Sequence, residues 1–294
     1  MRKFTKVMLV AAGVFTSVGI GLTVGGAVMG AGTQDVETVK KQVVNTLSNA
    51  GIRHIDGWDI DWNDYDDYDD GDGVYSELAE ESDGEVKTYH ADALENLKLD
   101  LQYDELYMEP HDGKDILVEV EGDSDGNVSV KSGEKTLHLT SRKKEHRVIR
   151  LYYPENTVFQ EVDIEVSAGS VSLDGNLETK ELEVSVGAGE FIGNGIVTAK
   201  NTSFEVGAGR LEVNDLSASE IDGECGMGEM VLVLTGNEKD YSYQLDCAVG
   251  NIDIGSDSYS GLASSKNVRN ENASGKLDLE CGMGNISVEF RGVK

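Results

Sequence analysis

The pentapeptide Glu-Cys-Gly-Met-Gly occurs twice, at Glu224–Gly228 and Glu280–Gly284, and a third thiol stands at Cys247. Thiols flanked by glycines are the material of a soft-metal clasp, a reactive nucleophile or a backbone cradle for phosphate. A second set is acidic. Glu205, Glu224, Asp246 and Glu280 occupy one place in a repeating unit, and oxygen ligands brought together in this way suit calcium. A third set lies in the run Asp56–Glu85, which holds no Lys or Arg. An EF-hand loop begun at Asp66 puts Asp70, Gly71 and Glu77 in their proper places, but Tyr68 stands where an oxygen ligand belongs. Other catalytic patterns are missing. There is no nucleophile elbow, zinc-protease helix or P-loop, and Gly187–Ile192 lacks the third glycine of a dinucleotide fingerprint. His54, His90, His111, His138 and His146 each lack a companion at metal-ligand spacing.

The elements that position these groups come from an internal repeat. Six segments align on Gly169, Gly189, Gly209, Gly228, Gly250 and Gly284, at steps of 20, 20, 19, 22 and 34 residues. Leu99–Met108 is a weaker relative that begins the series, and Ile116–Thr140 continues a strand-like alternation without the glycine. Five, three and one residues before the glycine, and two after it, stand apolar or small side chains such as Ile164, Val166, Ala168 and Val171. Alternate residues of a strand share a face, so these columns are expected to point inward. The parity breaks across the glycine, which predicts a corner there, with glycine supplying the positive φ that corners often need. One coil cannot bury its own apolar face, but stacked coils can; the reading is an all-β solenoid. Gly255–Lys276 and Arg142–Arg150 depart from the repeat, the former as a loop.

This placement reweighs the chemistry. Cys225, Cys247 and Cys281 fall in one inward column where earlier coils carry valine, so they read as small buried hydrophobes. Stacked neighbours sit about 4.8 Å apart, whereas a disulfide draws Cβ atoms to about 3.8 Å. The acidic column points outward as Glu165, Ser185, Glu205, Glu224, Asp246 and Glu280. Like charges about 5 Å apart repel by roughly 0.8 kcal/mol in bulk water and more near a protein surface. Calcium bridging relieves that repulsion; an ordinary solvated acidic face is the alternative.

The formal net charge of −30 and pI near 4.3 exclude nucleic acid as a partner. Arg2, Lys3 and Lys6 precede Val7–Gly32, a stretch without charge that is long enough to cross a bilayer. Residues 1–32 therefore read as a transmembrane anchor with the C-terminal body extracytoplasmic; a cleaved signal segment is the alternative. A short juxtamembrane helix follows within 33–55, with Val36, Val39, Val43, Val44 and Leu47 on one stripe. Residues 56–92 read as an acidic linker in which Trp58, Trp62, Tyr65 and Tyr68 offer docking groups, and 93–294 as the repeat domain. The basic cluster Ser141–Arg147 reads as a solvated turn, or as a dock for the acidic stalk or anionic wall polymers.

The spaced Glu-Val-Gly-Ala-Gly and Glu-Cys-Gly-Met-Gly-Asn-Ile segments, the strand ending Leu151-Tyr152-Tyr153-Pro154 and the N-terminal anchor resemble one family. It is the bacterial "putative adhesin" family of β-strand repeat proteins of unknown function, common in Gram-positive bacteria, and the likeness covers about Ala93–Lys294. The resemblance implies a right-handed-type β-solenoid, a single membrane span and an extracytoplasmic location. It implies no catalytic residue, cofactor or ligand. The expected function is a non-enzymatic, membrane-anchored surface module of adhesin-like type, binding a cell-wall polymer or a protein. The alternatives are an envelope-stress or regulatory accessory of a neighbouring membrane protein and a carbohydrate-active solenoid enzyme. The charged C-terminal Glu289–Lys294 is expected to blunt an exposed end of the stack.

Overall fold

Residues 75–83, 86–92, 94–142, 146–260 and 263–292 are described by the computed structural model, within a compact unit Gly73–Lys294. The expected membrane segment, the helix within 33–55, the aromatic residues of the acidic run and most of the loop begun at Asp66 lie outside them. Among the described residues no helix is long and apolar enough to cross a membrane.

Alternating apolar and polar residues make strands, and these strands come in pairs joined at a corner. The chain enters through β1 (Ser76–Glu77), β2 (Glu80–Asp83) and β3 (Val86–Ala91). The first corner joins β4 (Asn96–Leu101) to β5 (Glu105–His111); β6 (Ile116–Glu121) and β7 (Val128–Gly133) follow, then the pair β8 (Thr136–Ser141) and β9 (Val148–Pro154). The repeats proper are β10 (Val158–Val166) with β11 (Ser170–Leu173), and β12 (Leu177–Val186) with β13 (Glu190–Gly193) and the short β14 (Val197–Thr198). Next come β15 (Asn201–Val206) with β16 (Arg210–Ser217), β17 (Glu220–Cys225) with β18 (Glu229–Thr235), and β19 (Tyr241–Cys247) with β20 (Asn251–Ile254). After β21 (Asp257–Ser260) and β22 (Ser264–Val268), the chain closes with β23 (Gly275–Cys281) and β24 (Asn285–Arg291).

Each pair is one rung of a solenoid, and rungs pair in parallel and in register. Val166, for example, faces Leu101 on one side and Val186 on the other. The interior is therefore a set of columns: Leu101, Val166, Val186, Val206, Cys225, Cys281 and Cys247 form one, all buried. Volume is conserved between neighbours. Phe204 stacks on Gly223, and a Cβ at Gly223 would crowd Leu279 and the Met230 thioether, which fill the space the glycine leaves.

The corners correct two expectations. None of the six aligned glycines has positive φ; the positive-φ glycines are Gly122, Gly126, Gly236 and Gly255. Glycine is needed because the backbones approach too closely for a side chain. A Cβ at Gly209 would fall inside contact distance of the Gly189 carbonyl oxygen, and the same holds at Gly189 against Gly169 and at Gly228 against Gly209. The hydrogen-bond ladder runs through the corner unbroken: Ala208 N–H donates to Gly187 O at 2.7 Å and Arg210 N–H to Gly189 O at 3.0 Å. In addition, the residue before the glycine points outward. Met227, Val249 and Met283 are exposed, so the corner spans three residues and reverses parity before the glycine.

Rung order in space differs from order in sequence at both ends. Strand β23 lies between β17 and β19, so the C-terminal rung β23–β24 sits inside the rung β19–β20 that precedes it in the chain. Likewise β4–β5 lies between β10–β11 and the later pair β8–β9. Antiparallel strands cover both outer rungs: β22 on β19, β21 on β20, β7 on β8 and β6 on β9. The stretch read as a loop over Gly255–Lys276 thus contains two capping strands. The acidic linker also ends earlier than expected, because β1 pairs with β7, β2 with β3 and β3 with β6. Residues Glu289–Arg291 end an interior rung, with β18 paired along its length.

Replacing Gly209 by Ala is expected to cost about 1–3 kcal/mol in urea unfolding, from overpacking against the rung before it. Gly193→Ala, where the nearest atom stands at ordinary contact of 3.5 Å, is the control and is expected to be near neutral.

Candidate functional site

In-register stacking turns every polar position of the first strand into a row. In spatial order one row reads Asp100, Glu165, Ser185, Glu205, Glu224, Glu280 and Asp246. The next reads Lys98, Asp163, Glu183, Ser203, Asp222, Asp278 and Gln244, and a third includes Glu161, Glu181, Asn201, Glu220 and Lys276. The calcium candidates Glu205, Glu224, Glu280 and Asp246 are brought together as four consecutive rungs, with Glu280 between Glu224 and Asp246; Glu280 is buried there and does not face outward as the sequence predicts. Among the described residues, however, no group of three or more His, Cys, Asp or Glu is disposed to hold a metal.

A groove of about 290 Å³ lies on this face, lined by Glu161, Glu181, Glu183, Asn201, Ser203, Glu220, Asp222, Lys276 and Asp278 among others. Burial pushes the Asp100 carboxyl up to about 6, helped by the Glu165 charge beside it. Burial also raises Asp163, Glu165 and Glu183, and neighbouring carboxylates add to the last two. Lys276 offsets part of this charge at 3.5 Å from Asp278. The shifts share one sign, and burial is the largest cause of each.

The cysteines are free and buried. Cys281 stands between Cys225 and Cys247 in register, and its thiol donates to Gly284 O at 3.1 Å. Burial pushes the Cys247 thiol up to about 11, whereas the hydrogen bond with Cys281 holds the Cys225 thiol below the ordinary range.

Sequence reasoning missed a buried ionic cluster at the other end. In the first corner Asp104 takes the place of the glycine, and in the rung beyond it Arg147 does. Both side chains are fully buried. Arg147 Nε donates to Asp104 Oδ1 at 2.6 Å, Ser141 Oγ donates to Asp104 Oδ2, and Arg147 Nη1 donates to Arg142 O at 3.0 Å. Asp123 lies 3.9 Å from Arg147 and accepts from Lys87 Nζ at 3.0 Å. Burial alone would raise Asp123, but Lys87 and the Asn127 N–H hold its carboxyl below the ordinary range. The basic cluster Ser141–Arg147 therefore gives its last residue to the interior, and His146 pairs with Glu105 at 2.8 Å on the surface. The visible signal was Asp104, a charged residue in the glycine's place within the weaker relative Leu99–Met108.

The family profile of Toastrack DUF4097 matches residues 94–294, and the chain belongs to that family. A structure from Clostridium sporogenes, described as a putative cell adhesion protein, is 14% identical, with 72% of this chain and 100% of that chain covered and a TM-score of 0.41. One from Parabacteroides merdae, described as a putative adhesin, is 15% identical over 72% and 98% of the two chains, with a TM-score of 0.39. One from Parabacteroides distasonis, described as a putative lipid binding protein, is 12% identical over 69% and 97%, with a TM-score of 0.31. No curated protein matches the chain.

Two measurements test the electrostatics. Arg147→Met leaves Asp104 buried and unpaired and is expected to cost about 3–5 kcal/mol; adding Asp104→Leu is expected to recover part of it. Raised carboxylates bind protons more readily folded than unfolded, so the thermal midpoint is expected to rise as pH falls from about 7 to about 5. It is expected to fall again below about 4, where Asp123 loses the charge that Lys87 stabilises. Asp100→Asn flattens the upper limb.

Proposed function

We propose that this Toastrack-family chain is a non-enzymatic binding module whose acidic sheet face takes up a basic protein segment. We further propose that residues 1–32 anchor it in the cell membrane by a single span, with the solenoid on the outer side as an adhesin-like surface module. The observation that carries the reading is the set of parallel carboxylate rows on the first sheet face. Rows at the spacing of a parallel sheet repeat every rung, and a basic chain laid across them meets a new carboxylate at each step. The surface repels anionic wall polymers, so a cationic protein is favoured over the polymer expected from the sequence. An accessory role beside a membrane protein uses the same face and differs only in where the basic segment resides.

The test is binding of a fluorescent oligolysine peptide to the full-length chain in detergent, against oligoglutamate, with calcium and with chelator. Saturable binding that weakens with salt is expected for oligolysine alone. The variant Glu161→Gln, Glu181→Gln, Glu183→Gln, Glu220→Gln is expected to lose about tenfold in affinity. Equal affinity of the variant and the parent overturns the reading.

A further inference from the structure

The C-terminal rung occupies a slot. Strand β23 bonds along its length to β17 on one side and β19 on the other, and β24 bonds to β18 throughout and to β20 over Asn285–Val288. Its inward residues Leu277, Leu279, Ile286 and Val288 are all buried. Take it away, and two pairs of strand edges face each other across one rung's width. Everything on either side of that gap is built from chain that precedes Gly275.

The edges are guarded unevenly. The outermost strands β21 and β22 present Asp257, Ser258, Ser265, Lys266 and Asn267 to solvent, the polar dressing that keeps open edges from pairing. The slot edges alternate the outward acidic rows, such as Asp222 and Glu224 on β17 and Asp246 on β19, with inward apolar residues that only a rung covers, such as Ile221 and Leu245. They are also shaped for this sequence in particular. Gly284 stacks between Gly228 and Gly250, where no Cβ fits, and Cys281 stacks between Cys225 and Cys247. The hinge, Arg269–Ser274, contains no proline and is largely exposed. Asn270 Nδ2 donates to Tyr241 O at 2.6 Å and Ser274 N–H to Asp240 O at 2.9 Å, so a different path for the hinge is open only before these bonds form.

We infer that this slot is a strand-acceptor site whose second occupant is the C-terminal rung of another copy of this chain, giving rung-exchanged dimers when copies fold close together. The ligand is a parallel strand pair with apolar residues two apart and a glycine corner. A second copy supplies it without any new contact, which is the condition under which exchange costs little. Exchange belongs to folding. Once filled, the slot holds its rung by both edges, so folded chains mixed afterwards exchange slowly. The inference is independent of the acidic face.

Met227 and Met283 allow a direct test. They are exposed, at 50% and 39%, and lie on adjacent rungs at the corner, where Met283 N–H donates to Gly226 O at 2.7 Å. A full-length chain carrying both Met227→Cys and Met283→Cys, treated with a short bifunctional thiol reagent, crosslinks within itself and verifies the adjacency. One chain with Met227→Cys and another with Met283→Cys are then co-expressed or co-refolded. A crosslinked species of dimer mass is expected, and it is expected to be strongly reduced when the two chains are folded separately and mixed. No dimer band after co-folding overturns the inference, as does a band of equal strength from chains folded apart, which reports surface collision. A chain ending at Ser274 that keeps the parent's thermal midpoint and ignores added peptide 275–294 overturns it too.

Discussion

The corner backbone sets the terms for the rest of the molecule. Successive glycine corners are joined there by main-chain hydrogen bonds of 2.7–3.1 Å from one rung to the next. Such contact tolerates no Cβ between Gly169, Gly189, Gly209, Gly228, Gly284 and Gly250. It also permits no slippage, since a shift of one residue would bring a side chain into the column and turn every apolar residue outward. Register is fixed at the corner and passed along both strands.

Fixed register imposes like on like. Inside, this is favourable: valines meet valines, thiols meet thiols, and a large residue such as Phe204 is answered by Gly223. Outside, the same rule assembles carboxylates that repel one another, and this repulsion adds to burial, the larger cause, in making Asp100, Glu165 and Glu183 hold protons more tightly than free carboxyls do. A fold with less regular stacking would disperse these charges. The acidic face is thus a direct product of the glycine corner.

Much of this was legible beforehand. The aligned glycines gave the rung, the alternation gave the inward columns at Ile164 and Val166, and the inward thiol column was visible from its valine predecessors. The outward turn of Met227 was not, because parity can break on either side of a corner glycine and only the backbone path decides. The exchange of rungs at both ends was hidden for a different reason. Parallel neighbours carry interchangeable letters, so Cys281 fits beside Cys225 as well as Cys247 does, and pattern alone cannot order them. Arg147 was hidden in a cluster that looks solvated, since its burial depends on Asp104, 43 residues away in the chain. The strands at Ser76–Glu77 and Glu80–Asp83 are acidic and short, and they exist only because β7 and β3 offer them edges.

A zip opens from its last tooth, and most stacked-coil proteins present their final coil for peeling. Here the last three residues of β24, Glu289–Arg291, bond to β18 alone, and behind them Asn285–Val288 is held by β18 and β20 together. A pull on the tail would free the single edge first and then stop where two edges must give way at once.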